Sequence, residues 1–295
     1  MSINYETAMV SVIIPNYNYG EYIEDAIKSV LSQTFNNYEI IVVNNGSTDN
    51  SLEVLQKYES LVTLINQENI GQSGARNAGL IRSTGDVIAF LDADDIWEVS
   101  KLEKQISLLS AETQLVYCGV RRFDNESERT LSIHLPAHKD SCAGYFLDHP
   151  GVAIVLGGES TAIFTRELLT SVGLFDQSLN SSAGWDFFRR CSSYTNFDFV
   201  PEPLVNYRIH NRNMSSVAKG NISDIRESFF KLVKESPGSY QNQKIFKTFF
   251  KLEVSFLRTH ISGKTSFDFI VTLFNLPYNL LRLHKIQLLK QKKFL

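Results

Sequence analysis

Gly85-Asp86-Val87-Ile88-Ala89-Phe90-Leu91-Asp92-Ala93-Asp94-Asp95 joins an apolar run to three carboxylates within four positions. Residues 87–91 read as a buried strand. The carboxylates cannot follow it into the core, because burying an unpaired charge costs several kcal/mol. They belong where the strand emerges, at the carboxyl edge of a sheet, which is where open α/β folds bind ligands. Such a cluster suits a hard divalent cation, and a cation there suits phosphate. It also suits an Asp-rich turn or a helix N-cap, so its meaning depends on its surroundings.

Those surroundings alternate short apolar runs with helical patterns, the signature of β-α-β units and of an α/β sheet. Strands are expected at residues 9–14, 38–43, 61–65, 115–122 and 197–207, the last broken by Pro201 and Pro203. Helices are expected at residues 21–33, after 49 to about 59, within 69–85, at 97–109 and at 187–194. Residues 159–175 hold a strand and a helix, and residues 125–158 read as a variable loop region. Beyond about residue 217 the pattern is helical without strand alternation, which divides the chain into residues 1–217 and 218–295.

The bulk properties are those of a globular protein, with 43% hydrophobic and 21% charged residues among 295. A formal charge of −3 argues against a general nucleic-acid binder. Cys118, Cys142 and Cys191 are widely spaced, which fits a reducing compartment rather than a disulfide framework or a zinc site. The N-terminus lacks the basic-then-apolar pattern of a secretory signal, and no run is long enough to span a membrane. A cytoplasmic location is expected.

Two loops follow strand ends and can line one cleft: Pro15-Asn16-Tyr17-Asn18 and Asn44-Asn45-Gly46-Ser47-Thr48-Asp49. Their amides and hydroxyls can read a base or ribose edge, or can serve only as turn and capping groups. Gly71-Gln72-Ser73-Gly74-Ala75-Arg76-Asn77-Ala78-Gly79 lacks the dinucleotide-binding spacing. Arg76 can clamp a phosphate or lie on the surface by its stem.

Taken in order, these segments resemble family 2 inverting glycosyltransferases of the GT-A fold, a Rossmann-like mixed sheet flanked by helices. The likeness continues through Val172-Gly173-Leu174-Phe175-Asp176, Trp185-Asp186 and Pro201-Glu202-Pro203-Leu204-Val205-Asn206-Tyr207-Arg208-Ile209-His210, covering roughly residues 8–217. The resemblance implies a nucleotide-diphosphate-sugar donor, Mn²⁺ or Mg²⁺, and a saccharide or lipid-linked saccharide acceptor in bacterial surface polysaccharide or glycolipid synthesis. It places Asp92 and Asp94 at the ribose and the metal-bound diphosphate. Pro15, Tyr17 and Arg76 fall at the base, and His210 near the metal or diphosphate. Asn44 and Asn45 stand where many relatives carry Asp, and an asparagine can donate as well as accept, which leaves the base open.

A second departure concerns catalysis. The family's acceptor-activating carboxylate falls at Gly184, and glycine supplies no base. Asp186 and Glu159 are the candidate replacements. A nucleotide-sugar-binding protein with lost catalysis is the alternative. The tail over residues 244–295 interleaves ten Lys and Arg with Phe and Leu. This pattern suits either a helical cap or peripheral contact with an anionic membrane face.

Overall fold

The computed structural model describes residues 7–149, 154–179, 182–213, 227, 228, 230 and 231. Two compact units divide the chain, Met1–Ala143 with Ala153–Lys219 and Gly144–Val152 with Gly220–Leu295. The basic stretch at residues 244–295 lies outside the described residues. Among those described, no helix is long and apolar enough to cross a membrane.

The first unit opens as classical pattern reading predicts, with strands and helices in alternation: β1 (Val10–Asn16), α1 (Ile23–Leu31), β2 (Tyr38–Asn45), α2 (Ser51–Gln56), β3 (Thr63–Gln67), α3 (Gly71–Arg82) and β4 (Val87–Phe90). β5 (Ile96–Trp97), α4 (Lys101–Ile106), β6 (Leu115–Asp124) and β7 (Thr130–His134) follow. α5 (Ala143–Asp148) falls almost wholly in the second unit. A short 3₁₀ turn over Gly158–Thr161 leads into β8 (Ala162–Thr165), α6 (Arg166–Val172), α7 (Ala183–Cys191) and β9 (Phe197–Ile209).

The described strands form one mixed sheet, in the order β3-β2-β1-β4-β8-β6-β9-β5, with β7 beside β6. β3, β2, β1 and β4 run parallel, whereas β8 is antiparallel to both β4 and β6. Both faces are covered, which explains the unbroken apolar runs. On one face Val10, Val12 and Ile14 of β1 share a core with Ile23, Ala26, Ile27 and Val30, the apolar stripe of α1. On the other, α3 comes close enough to β1 that a β-carbon on Gly79 would lie 3.4 Å from Ile13 Cβ.

The structure departs from the sequence expectation in four places. Trp97 does not begin a helix. It pairs with Val205 in β5, and its indole Nε1 donates to the Ser160 carbonyl at 3.0 Å, so the helix starts only at Lys101. Residues 125–158 contain β7 and α5 as well as loop. β7 was hard to read because its apolar residues face outward, with Leu131 and Ile133 exposed. α7 begins at Ala183, four residues ahead of expectation. Pro201 and Pro203 do not break β9, because register shifts on either side of Gly119 in β6 absorb them.

Candidate active site

Parallel pairing brings the carboxyl ends of the first strands abreast, with Asn16 opposite Asn44 and Asn44 opposite Asn66. Asn44 Nδ2 donates to Asn66 Oδ1 at 3.0 Å, and its Oδ1 accepts the Ser47 N–H at 3.3 Å. Asn45 is fully committed. Its Oδ1 accepts from Gln67 Nε2 and the Ile70 N–H, while its Nδ2 donates to Asn69 Oδ1 and the Gly71 carbonyl. That side chain therefore fixes the turn from β3 into α3. Asn16 Nδ2 donates to Ser47 Oγ at 3.2 Å, but its buried Oδ1 has no partner among the described residues. Pro15 is the penultimate residue of β1, and Tyr17 beyond it is 46% exposed.

The acidic residues leave β4 beside this amide row. Asp94 Oδ2 lies 3.1 Å from His210 Nε2 and accepts from Asn213 Nδ2 at 3.2 Å. The His210 Nδ1 accepts the Arg212 N–H at 3.1 Å, which leaves the ring proton on Nε2, facing Asp94. Asp94 Oδ1 accepts no hydrogen bond among the described residues. Asp95 is buried, and burial together with Asp94 and Asp92 holds its carboxyl well above the usual carboxylate range. Burial also pushes Asp92 up to about 6; Arg76 opposes the shift, while Glu159 and Asp94 add to it.

No group of three His, Cys, Asp or Glu side chains able to hold a metal occurs among the described residues. A dedicated protein cage is thus absent there. One free carboxylate oxygen, Oδ1 of Asp94, fits the other arrangement, in which phosphate oxygens and waters complete the shell of Mg²⁺ or a similar ion. Asp94 and His210, expected from sequence at the metal or diphosphate, are joined by a hydrogen bond that, with the Arg212 N–H, engages both ring nitrogens of His210.

Arg76 occupies a different place from the one the resemblance implies. It is buried in α3, and its Nη2 bridges Asp92 Oδ1 at 3.3 Å and Glu159 Oε2 at 2.9 Å. The guanidinium also lies 5.5 Å from the Phe175 ring centroid. Its Nη2 is committed to the two carboxylates, while its buried Nε has no hydrogen-bond partner among the described residues. Ser160, next to Glu159, accepts the Asp92 N–H on its Oγ at 3.0 Å.

α7 carries the other catalytic candidate. Its apolar face is held by Phe187, stacked on Phe175 at 4.3 Å and packed against Phe164 at 5.1 Å. Gly184, one turn earlier on that face, meets Glu159. Asp186 is buried with both oxygens taken, Oδ1 by Arg189 Nη2 at 2.8 Å and Oδ2 by Arg190 Nε at 2.9 Å. Arg190 also donates to the Val172 and Leu174 carbonyls, so Asp186 ties α7 to the segment after α6.

Arg208 escaped the sequence reading. Its Nε donates to the Asp94 carbonyl at 3.0 Å, its Nη1 to Asn125 Oδ1 at 3.0 Å, and its Nη2 to Asp25 Oδ2 at 2.8 Å. The available signal was strand alternation, which puts residues 208 and 210 on one face of a strand.

Residues 11–161 match the family described as Glycosyl transferase family 2. The chain is similar to an uncharacterized glycosyltransferase of Rickettsia prowazekii (strain Madrid E), with 30% identity over 243 residues that span 80% of this chain and 74% of that one. It is 45% identical over 103 residues to the UDP-Glc:alpha-D-GlcNAc-diphosphoundecaprenol beta-1,3-glucosyltransferase WfgD of Escherichia coli, covering 34% of this chain and 41% of that one. Among solved structures, S. aureus TarS 1-349 in complex with UDP-GlcNAc aligns with a TM-score of 0.69 at 18% identity, covering 96% of this chain and 88% of that chain. At that identity the likeness concerns the fold.

Proposed function

The chain belongs to glycosyl transferase family 2, and from that premise we propose that it moves a sugar, with inversion, from a nucleoside-diphosphate sugar to an acceptor hydroxyl with the help of Mn²⁺ or Mg²⁺. The observation that carries this reading is Asp94 at the edge of β4. One of its oxygens is fixed by His210 and Asn213 while the other is left free. A bound cation would neutralise the charge that builds on a departing nucleoside diphosphate, which lowers the barrier by several kcal/mol.

The protein's own residues supply the rest. Asn16, Asn44 and the exposed Tyr17 ring offer amide and aromatic surface to a base. Asp92, close to the same edge, is the candidate ribose contact. Arg208 holds the Asp94 backbone in register with β9. A saccharide or lipid-linked saccharide is the acceptor class, by analogy with the E. coli relative's diphosphoundecaprenol-linked substrate. Assembly of a bacterial surface polysaccharide or glycolipid is the corresponding setting.

The test is donor binding. Calorimetry against a panel of UDP- and GDP-sugars, with and without Mn²⁺, should find a ligand whose affinity rises with the metal. Asp94→Asn should remove that metal dependence and lower affinity at least about tenfold, equivalent to about 1.4 kcal/mol. Unchanged metal-dependent affinity in this variant would overturn the assignment of Asp94.

A further inference from the structure

We propose that Glu159 is the general base of the transfer and that Gly184 is the space which admits its carboxylate. The proposal rests on the glycosyl-transfer reading above and assigns the step for which residue 184 has no side chain.

The geometry is reciprocal. A β-carbon on Gly184 would lie 3.0 Å from the Glu159 carboxyl carbon, and nearer still to Oε1. Real β-carbons almost never sit so close, so any side chain at 184 would drive the carboxylate away. Glycine at this position therefore does not mark a vacant catalytic site; the carboxylate has entered from another element. It reaches Gly184 from the 3₁₀ turn ahead of β8, whose Glu159 is buried.

The two oxygens of that carboxylate differ. Oε2 accepts from Arg76 Nη2 at 2.9 Å, which anchors the group. Oε1 accepts no hydrogen bond among the described residues and is turned to the Gly184 side. The same Arg76 nitrogen holds Asp92 at 3.3 Å, so Glu159 stands one guanidinium away from the donor edge. The other acidic groups are committed. Asp186 has both oxygens in ion pairs, and Asp94 has one oxygen held by His210 and Asn213 and the other assigned to the cation.

In the step itself, Oε1 of Glu159 takes the proton of the acceptor hydroxyl while that oxygen forms a bond to the anomeric carbon. The bond from that carbon to the diphosphate oxygen breaks, and its electron pair leaves with the nucleoside diphosphate. Glu159 then returns the proton to solvent. One displacement inverts the carbon, and no further reactant is needed.

The experiment follows nucleoside diphosphate released from a panel of UDP- and GDP-linked hexoses and N-acetylhexosamines in the presence of Mn²⁺, with water as acceptor. Binding of UDP and GDP is measured in parallel by calorimetry. Glu159→Gln keeps the shape and an acceptor oxygen for Arg76, so it should fold as the parent does. It should lower kcat about 100-fold or more, the usual contribution of a general base, while KM and nucleotide affinity stay within about threefold. Glu159→Ala combined with Gly184→Asp restores a carboxylate from the other side and should exceed Glu159→Ala alone at least about tenfold.

A Glu159→Gln kcat within about threefold of the parent overturns the proposal. So does a loss of nucleotide affinity that matches the loss of turnover, since that marks Glu159 as only a brace for Arg76. A double variant no better than Glu159→Ala also counts against it. A parent that binds no nucleotide sugar overturns the donor reading of the previous section. A parent that binds one but never turns it over leaves that reading in place and removes Glu159 as base.

Discussion

Lys101 shows how much one residue can cost a fold that keeps it. It is fully buried in α4, with its ammonium 4.0 Å from the Trp97 ring centroid and no hydrogen-bond partner for Nζ among the described residues. Burial pulls it from 10.5 down to about 8. The unfolded chain therefore holds this proton more tightly than the folded one, and stability gains as pH rises from about 8 to 10.5. Lys101→Met should raise unfolding free energy at pH 7 by up to about 3 kcal/mol, with the advantage fading as pH approaches 10.5. Urea titrations of both proteins at the two pH values check this. Asp186 makes the opposite case. Held between Arg189 and Arg190, it pairs with two arginines, and Asp186→Asn should cost about 3 kcal/mol of stability by removing the charge that both guanidiniums face. Its folded fraction should keep most of the parent kcat; a kcat loss beyond about tenfold without destabilisation would make Asp186 catalytic instead.

Among the elements, β9 does more than close the sheet. Through Arg208 it holds the Asp94 backbone, α1 by way of Asp25, and Asn125 after β6. Arg208→Met keeps the stem but loses all three bonds. It should destabilise by about 2–4 kcal/mol and weaken Mn²⁺-dependent donor binding well beyond metal-free binding, as calorimetry would show. The alternation through β4 and the Asp92 to Asp95 cluster were legible in sequence because both the apolar run and its charged end are local. β5 was not, because Ile96 and Trp97 become a strand only through pairing with Asn206 and Val205, more than a hundred positions away. β7 was hidden by an apolar face turned to solvent. Arg76, Glu159 and Gly184 were each named in sequence, but that the first two pair and the third makes room follows only from α3, the 3₁₀ turn and α7 meeting on one side of the sheet.

At the scale of the molecule, the first unit leaves its thiols no route to reagents. Cys118, Cys142 and Cys191 are free and buried, and burial pushes Cys118 and Cys142 up to about 11 and Cys191 higher still. Native protein should therefore react with an aromatic disulfide reagent only as fast as it opens, with all three thiols titrating in denaturant. Rapid labelling of even one thiol in the native state would contradict this packing. The same unit joins its two working ends through Ser160, whose Oγ receives the Asp92 N–H and whose carbonyl receives the Trp97 indole. Glu159 is the next residue along. The strand end proposed to hold the donor and the carboxylate proposed to activate the acceptor are therefore clamped together as one stiff part, and their spacing is preset before either substrate arrives. Since a misplacement of about 1 Å can cost about 100-fold in rate, that clamp governs alignment even though it contacts neither reacting group.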